Sequence, residues 1–267
     1  MSDFFVLSSG IRQGGVLSPY LFAVYIDSVI MKVVDSNVGC HIKLFCINIL
    51  LYADDILLLA PSISALQQLI HVCQKELEWL DMTINVKKSV CLRIGARCKA
   101  QCNNIFTLDS CELQWANSIR YLGVHTLSAG VFTCSLDNAK RSFYRAFNSL
   151  FGKIGRVASE DVVVQLLKTK CLPVLYYCVE ACPLKKSQLS AVDFAFNCTF
   201  RKIFSTRSQE VVDMCKQIFS CQTPSDAVAN RKCKFLKKFI MLDNMLCQVF
   251  KDVAVDELIL LASNAYY

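Results

Sequence analysis

No uninterrupted apolar run in the sequence is long enough to cross a bilayer. The longest, Cys46 to Ala60, is broken by Asn48, Asp54 and Asp55, and a spanning helix needs about 20 apolar residues. No membrane association is therefore expected. The start of the chain lacks a basic segment, an apolar core and a cleavage site, so no secretory signal is read there, and an intracellular place, cytoplasmic or nuclear, is expected. A C-x-x-C pair is also missing, and His41, His71 and His125 lie far from one another and from any close cysteine pair, which argues against a zinc site. Cys178 and Cys182, four apart on one predicted helix face, read as core packing. Internal repeats and low-complexity tracts are absent as well.

What is present is a chain of 267 residues, 54% hydrophobic and 19% charged, with sixteen cysteines. That length suffices for one large or two modest domains. A small secreted domain would use so many cysteines as disulfides, but this chain is neither small nor visibly secreted, so free thiols are expected. The net charge of +7 conceals an asymmetry: residues 140 to 251 hold 19 Lys or Arg against 8 Asp or Glu, a balance of +11, leaving 10 against 14, or −4, elsewhere. A basic segment suits a polyanion, since side chains that neutralise phosphates release counterions. A solvated helical face has the same composition.

Ser8, Ser9, Gly10, Gly14 and Gly15 make a loop, and Ser18-Pro19 reads as an N-cap with proline at the first helical position. Leu21, Phe22, Tyr25, Ile26, Val29 and Ile30 then recur at helical spacing. Around Asp54-Asp55 the aliphatic residues have no helical period, as in two short buried strands meeting at a turn. A capping-box pattern at Ser64 opens the next helix, which carries Leu66, Leu69, Cys73, Leu77 and Leu80 inward. Met82, Ile84 and Val86, then Val90, Leu92 and Ile94, alternate with period two up to Gly95. Ile105–Leu108 and Leu113–Trp115 flank a turn, and Ile119–Val124 is another short strand. From about Leu136 the pattern is helical: Phe143, Phe147, Leu150 and Phe151 form one stripe, and Val162 to Leu172 a second that stops at Pro173. The order is α+β followed by all-α, with the boundary expected between Gly123 and Gly130.

Two adjacent carboxylates amid Ile49-Leu50-Leu51-Tyr52-Ala53 and Ile56-Leu57-Leu58-Leu59 are costly to bury without compensation. Either a turn exposes them to water or they hold a hard divalent cation, since Mg²⁺ binds phosphates through one or two carboxylates. Tyr52-Ala53-Asp54-Asp55 resembles the metal-binding box of reverse transcriptases. Three further boxes agree in order: Ser9-Gly10-Ile11-Arg12-Gln13-Gly14-Gly15-Val16-Leu17-Ser18-Pro19 resembles the glycine-glutamine-glycine segment, Asn85-Val86-Lys87-Lys88-Ser89 the next box, and Tyr121-Leu122-Gly123 the primer grip. The tail, including Cys171 to Tyr177, is similar to the thumb of non-LTR retrotransposon polymerases.

The resemblance implies part of a polymerase palm, an antiparallel sheet with packed helices, over residues 1–127, and a helical, basic, thumb-like domain over 128–267. It implies Asp54 as a metal ligand with Asp55 in support, for Mg²⁺ or Mn²⁺, and Lys88 near the leaving pyrophosphate. Gln13, Gly14, Gly15 and Tyr52 would lie near template and incoming nucleotide, and Tyr121, Leu122 and Gly123 would guide the primer. Lys140, Arg141 and Arg145, with Arg231, Lys232, Lys234, Lys237 and Lys238, would track nucleic acid. The implied partners are an RNA template, a DNA primer and deoxynucleoside triphosphates; the oligomeric state is not legible. For Gln13 to Gly15 a plain loop, and for Lys88 a solvated strand lysine, read equally well from the residues alone. The family draws its other catalytic aspartate from an earlier strand, and here only Asp3 and Phe4-Phe5-Val6-Leu7 precede the first box. The chain alone is thus expected to be inactive, as a fragment of a polymerase or as a non-catalytic RNA-binding or structural remnant of a retroelement.

Overall fold

Ser18–Asp35 coils into α1 because apolar residues recur along one face, and Ile26, Val29 and Val33 are buried there. The helix begins one residue earlier than expected: Leu17 is the N-cap and Ser18 is already helical. Leu21 and Tyr25 of the expected stripe stay more than half exposed, Tyr25 using its hydroxyl to donate to the Leu80 carbonyl at 3.1 Å. The computed structural model describes residues 14–155 and 157–264. Two compact units divide the chain, the first formed by residues 1–91 and 100–115, the second by 92–99 and 116–267.

In the first unit two hairpins follow α1, β1 (Cys40–Ile42) with β2 (Phe45–Ile47), and β3 (Ile49–Tyr52) with β4 (Asp55–Leu58). Then come α2 (Ile63–Trp79) and a three-stranded sheet in the order β5 (Val90–Leu92), β7 (Glu112–Ala116), β6 (Ile105–Phe106). α2 has two apolar faces. Leu69, Cys73 and Leu77 pack with Ile26, Val29, Val33 and Ile49, while Ile70 packs with Cys91, Ile105 and Leu113. Its N-cap is Ser62 rather than Ser64: Ser62 has extended backbone and its hydroxyl accepts from the Ala65 amide at 3.2 Å. The alternation expected through Val90, Leu92 and Ile94 is reversed. Cys91 is buried and Val90 exposed, because the core needs a side chain opposite Ile105 and Leu113, and burial pushes the Cys91 thiol up to about 11.

Asn48, between β2 and β3, is 1% exposed. Its side-chain amide donates to the carbonyls of Val33 at 2.7 Å and Val38 at 3.1 Å, and its main-chain carbonyl accepts from the Leu59 amide at 2.8 Å. The root of the β3–β4 hairpin is thereby tied to the end of α1. Gly39, with φ +154°, packs so closely that a Cβ there would lie 2.4 Å from that of Asn48. Gly39→Ala is therefore expected to destabilise the first unit by about 1–3 kcal/mol through combined strain and overpacking, which urea unfolding followed by Trp79 and Trp115 fluorescence would measure.

The second unit opens with an antiparallel sheet of β8 (Ser118–Tyr121), β9 (Val124–Leu127) and β10 (Thr133–Ser135), with β9 central. Ile119 to Val124 is thus a hairpin rather than one strand. Helices follow: α3 (Asp137–Ile154), α4 (Glu160–Leu166), α5 (Leu172–Leu175), α6 (Lys186–Ile203), α7 (Gln209–Ile218), α8 (Pro224–Met241), α9 (Met245–Val249) and α10 (Lys251–Asn264). Phe143, Phe147, Val164, Leu167, Leu175, Phe196 and Phe200 are completely buried at its centre. Mixed strands and helices, then helices alone, are the order the periodicities predict.

Pro173 does not stop the second helical stripe. A π-helical turn, Leu167–Cys171, joins α4 to α5, and Pro173 sits in the first turn of α5, where a missing N–H costs little. The whole stretch Glu160–Ala181 is long and apolar enough, by length and composition, to cross a membrane, which the break-up of Cys46 to Ala60 did not anticipate. In this fold it lends Val163, Val164, Leu167, Cys171, Leu175 and Val179 to the core of the second unit.

Candidate functional site

The acidic hairpin is two residues wide at its tip. Tyr52 pairs with Asp55 across β3 and β4, so Ala53 and Asp54 form the turn, with Ala53 at φ +53°. A two-residue turn of this kind matches the right-handed twist of its strands, at the expense of holding a non-glycine residue in the left-handed region. Asp54 therefore projects from the turn and Asp55 from the first position of β4, which removes the strict alternation that would point neighbouring strand residues to opposite faces. Both aspartates and Tyr52 are exposed, while Ile49 is buried and Leu50, Leu51 and the residues from Ile56 to Leu58 are half-buried. Of the two alternatives the sequence leaves open, the structure shows the exposed turn: the aliphatic strands sink into the unit and the turn lifts the doublet into water, so no burial cost needs compensating.

Among the described residues the carboxylates of Asp54 and Asp55 make no side-chain hydrogen bond or ion pair, whereas Asp137 pairs with Lys140 at 3.0 Å and Asp213 with Lys216 at 2.6 Å. No group of three or more His, Cys, Asp and Glu able to hold a metal occurs among the described residues. The donor set fits a cation that takes one or two carboxylates and fills its remaining positions with water and phosphate, as Mg²⁺ does, and does not fit an all-protein cage.

Of the other residues singled out, Gln13 lies outside the described residues. Gly14 has φ +79° with open space around it, and Gly15 accepts from the Ser18 amide at 3.3 Å. Lys88 is exposed in a turn, not on a strand, where its amide donates to the Asn85 side chain at 3.2 Å. Tyr121 ends β8 and Leu122-Gly123 is the turn into β9, both at positive φ. The Tyr177 hydroxyl donates to the Leu122 carbonyl at 3.1 Å.

The basic residues divide by environment. Arg231 pairs with Glu180 at 3.3 Å and Lys232 with Glu257, so two of the five cations of α8 are spent on neighbouring helices, while Lys234, Lys237 and Lys238 are exposed. Lys140 is held by Asp137. Arg141 and Arg145 instead line a cavity of about 880 Å³ in the second unit, together with Arg120, His125, Gly123 and Tyr177.

Comparison with known proteins fits this arrangement. Residues 2–126 match the family model described as reverse transcriptase (RNA-dependent DNA polymerase), a span that holds the acidic turn and the Leu122-Gly123 turn. The chain is 27% identical over 206 residues, 74% of its length, to the retrovirus-related Pol polyprotein from type-1 retrotransposable element R2 of Popillia japonica. Over 141 residues it is 27% identical to that from type-2 retrotransposable element R2DM of Drosophila melanogaster. Residues 2–126 are a reverse transcriptase segment of the non-LTR retrotransposon kind. The chain spans 33% of the first relative and 13% of the second. Members of the reverse transcriptase family copy RNA into DNA from deoxynucleoside triphosphates and generally use divalent metals.

Two contributors escaped the sequence reading. Asn48 had registered only as a break in an apolar run, yet it anchors the acidic hairpin. Gln74, 3% exposed, accepts from the Leu108 amide at 2.6 Å and donates to Asp109 at 2.7 Å. Its signal was there: a polar residue between Ile70 and Leu77 on a helix face that is otherwise apolar.

Proposed function

We propose that the chain is part of a polymerase that copies RNA into DNA, with palm elements over residues 1–127 and a thumb over 128–267. The observation carrying this reading is the exposed, unpaired aspartate doublet on a two-residue turn between half-buried strands, within the region matching the reverse transcriptase family. Asp54 is the residue to ligate Mg²⁺ or Mn²⁺ directly and Asp55 to support it. When bound, the cation supplies charge neutralisation at the phosphates and lowers the pKa of the attacking primer hydroxyl. Lys88 neutralises the departing pyrophosphate, which the exposure of its ammonium group permits. Gln13, Gly14, Gly15 and Tyr52 meet the template and the incoming nucleotide, glycine letting a backbone approach closely. Tyr121, Leu122 and Gly123 guide the primer. Exposed lysines of α8 and arginines of α3 hold the template–primer backbone through phosphates, which carry position and not sequence. An intracellular place and the absence of a membrane role belong to the same reading.

The family resemblance implies a further catalytic carboxylate from another strand to hold the second metal, and among the described residues Asp54-Asp55 is the acidic doublet at a hairpin tip. Taken alone, the 267-residue polypeptide is expected to give no primer extension above background on an RNA template with Mg²⁺ or Mn²⁺. Extension that disappears on Asp54→Ala would show that the polypeptide is sufficient and overturn that expectation. A second reading, a non-catalytic RNA-binding remnant, is favoured by the exposed Lys234, Lys237 and Lys238, and differs in predicting nucleic-acid affinity that is indifferent to Asp54.

A further inference from the structure

The cavity of about 880 Å³ in the second unit joins three guanidinium groups that the sequence keeps apart. Arg141 and Arg145 stand one turn apart on α3, four residues being the spacing that stacks side chains on one face. Arg120 comes from β8, paired with His125 of β9. No aspartate or glutamate is among the residues lining it, and none of the three arginines is in an ion pair among the described residues. Asp137 is one opposing influence: Lys140 is the principal partner holding its carboxyl below the usual range, and Arg141 contributes least. Val124, Leu136, Pro173 and Val174 give the cavity an apolar lining. Guanidinium groups around apolar ground suit alternating phosphate and sugar, and guanidinium is the side chain best matched to phosphate oxygens.

Gly123 gives the cavity its edge. At φ +83° it turns β8 into β9, and a Cβ there would lie 2.7 Å from the Tyr177 ring. The ring thus sits directly on the turn while its hydroxyl bonds the Leu122 carbonyl at 3.1 Å. The tyrosine fixes where the turn stands relative to α3 and α5, all within one unit.

We propose that Arg120, Arg141 and Arg145 form a seat for consecutive backbone phosphates of a single nucleic-acid strand, and that Tyr177 is a positioning residue holding the Leu122-Gly123 turn at its edge. The seat deepens the reading of the second unit as nucleic-acid binding and rests on it. The test uses the full chain and a fluorescent single-stranded 20-nucleotide DNA, with affinity measured by anisotropy across a KCl series. R120Q/R141Q/R145Q is expected to lower the slope of log affinity against log salt by about 2, since each neutralised phosphate of a single strand contributes about 0.7. The control K32Q/K75Q/K99Q, which removes equal charge elsewhere, is expected to change it by less than about 0.5. Tyr177→Phe keeps every arginine, so it is expected to weaken affinity about 3- to 10-fold with the slope unchanged, and an unchanged far-UV circular dichroism melting curve separates this from general loss of folding. A triple variant with the wild-type slope would overturn the seat, as would displacement of the DNA by inorganic phosphate at matched ionic strength, which would assign a free-phosphate site. A Tyr177→Phe protein with wild-type affinity would overturn the positioning role. Wild-type protein that binds no DNA even at low salt would overturn the nucleic-acid reading of the unit itself, an outcome distinct from binding that survives the triple substitution.

Discussion

Phe196→Ala is expected to destabilise the second unit by about 3–5 kcal/mol, the usual cost of removing a phenyl ring from a close-packed core. Phe196 is completely buried on α6, its ring meets Phe200 edge-on with centroids 5.0 Å apart, and it shares a cluster with Phe143, Phe147, Leu167 and Leu175. α6 packs against α3, α7 and α8, so the cavity left behind cannot close without moving α6 relative to all three. For a unit of this size the loss lowers the melting temperature by about 6–20 °C. Far-UV circular dichroism follows mainly this unit because most of the helical residues lie in it, while both tryptophans, Trp79 and Trp115, belong to the first unit and report its unfolding separately by fluorescence. A dichroism midpoint displaced by less than the equivalent of about 1 kcal/mol would mean the aromatic cluster does not organise the helices.

Asp54→Asn is expected to reduce affinity for Mn²⁺ with a deoxynucleoside triphosphate by at least about 10- to 100-fold, because residues that merely support a ligand already cost that much in metal sites. The amide keeps shape and hydrogen bonding but loses the charge that attracts a hard cation. Asp55→Asn is expected to cost less, since Asp55 is a strand residue paired with Tyr52 while Asp54 occupies the turn itself. Electron paramagnetic resonance of free Mn²⁺ measures both. The fold is not at stake in either variant, both side chains being exposed and without partners among the described residues.

Features governed by local chemistry were readable in advance, those governed by tertiary competition were not. The Asp54-Asp55 hairpin, the β6–β7 hairpin and the stripe of Phe143 and Phe147 were legible because a period or a turn residue marks each. Cap positions slipped, Ser62 serving where Ser64 was expected, because two serines two residues apart offer the same hydroxyl and only backbone geometry chooses between them. The face of β5 was misjudged for a related reason: a three-residue strand carries too little pattern to show which side meets the core, and packing against Ile105 and Leu113 selected Cys91. Pro173 was taken as a stop because proline opposes a helix interior, a rule that a preceding π turn evades. The doublet's surroundings were read as buried aliphatic strands meeting at a turn, which the structure shows, while the choice between an exposed turn and burial of the carboxylates stayed open because linear sequence does not show which way a turn faces. Tyr177 could not have been found from spacing, since it lies 55 residues from the carbonyl it holds.

The claim that the aspartate turn exists to hold a divalent cation against nucleotide phosphates is tested most directly by where Mn²⁺ settles. With isotopically labelled protein and a deoxynucleoside triphosphate, substoichiometric Mn²⁺ is expected to broaden the amide resonances of Ala53, Asp54 and Asp55 before others, and Asp54→Asn is expected to abolish that preference. Broadening centred elsewhere, or unchanged by the substitution, would contradict it.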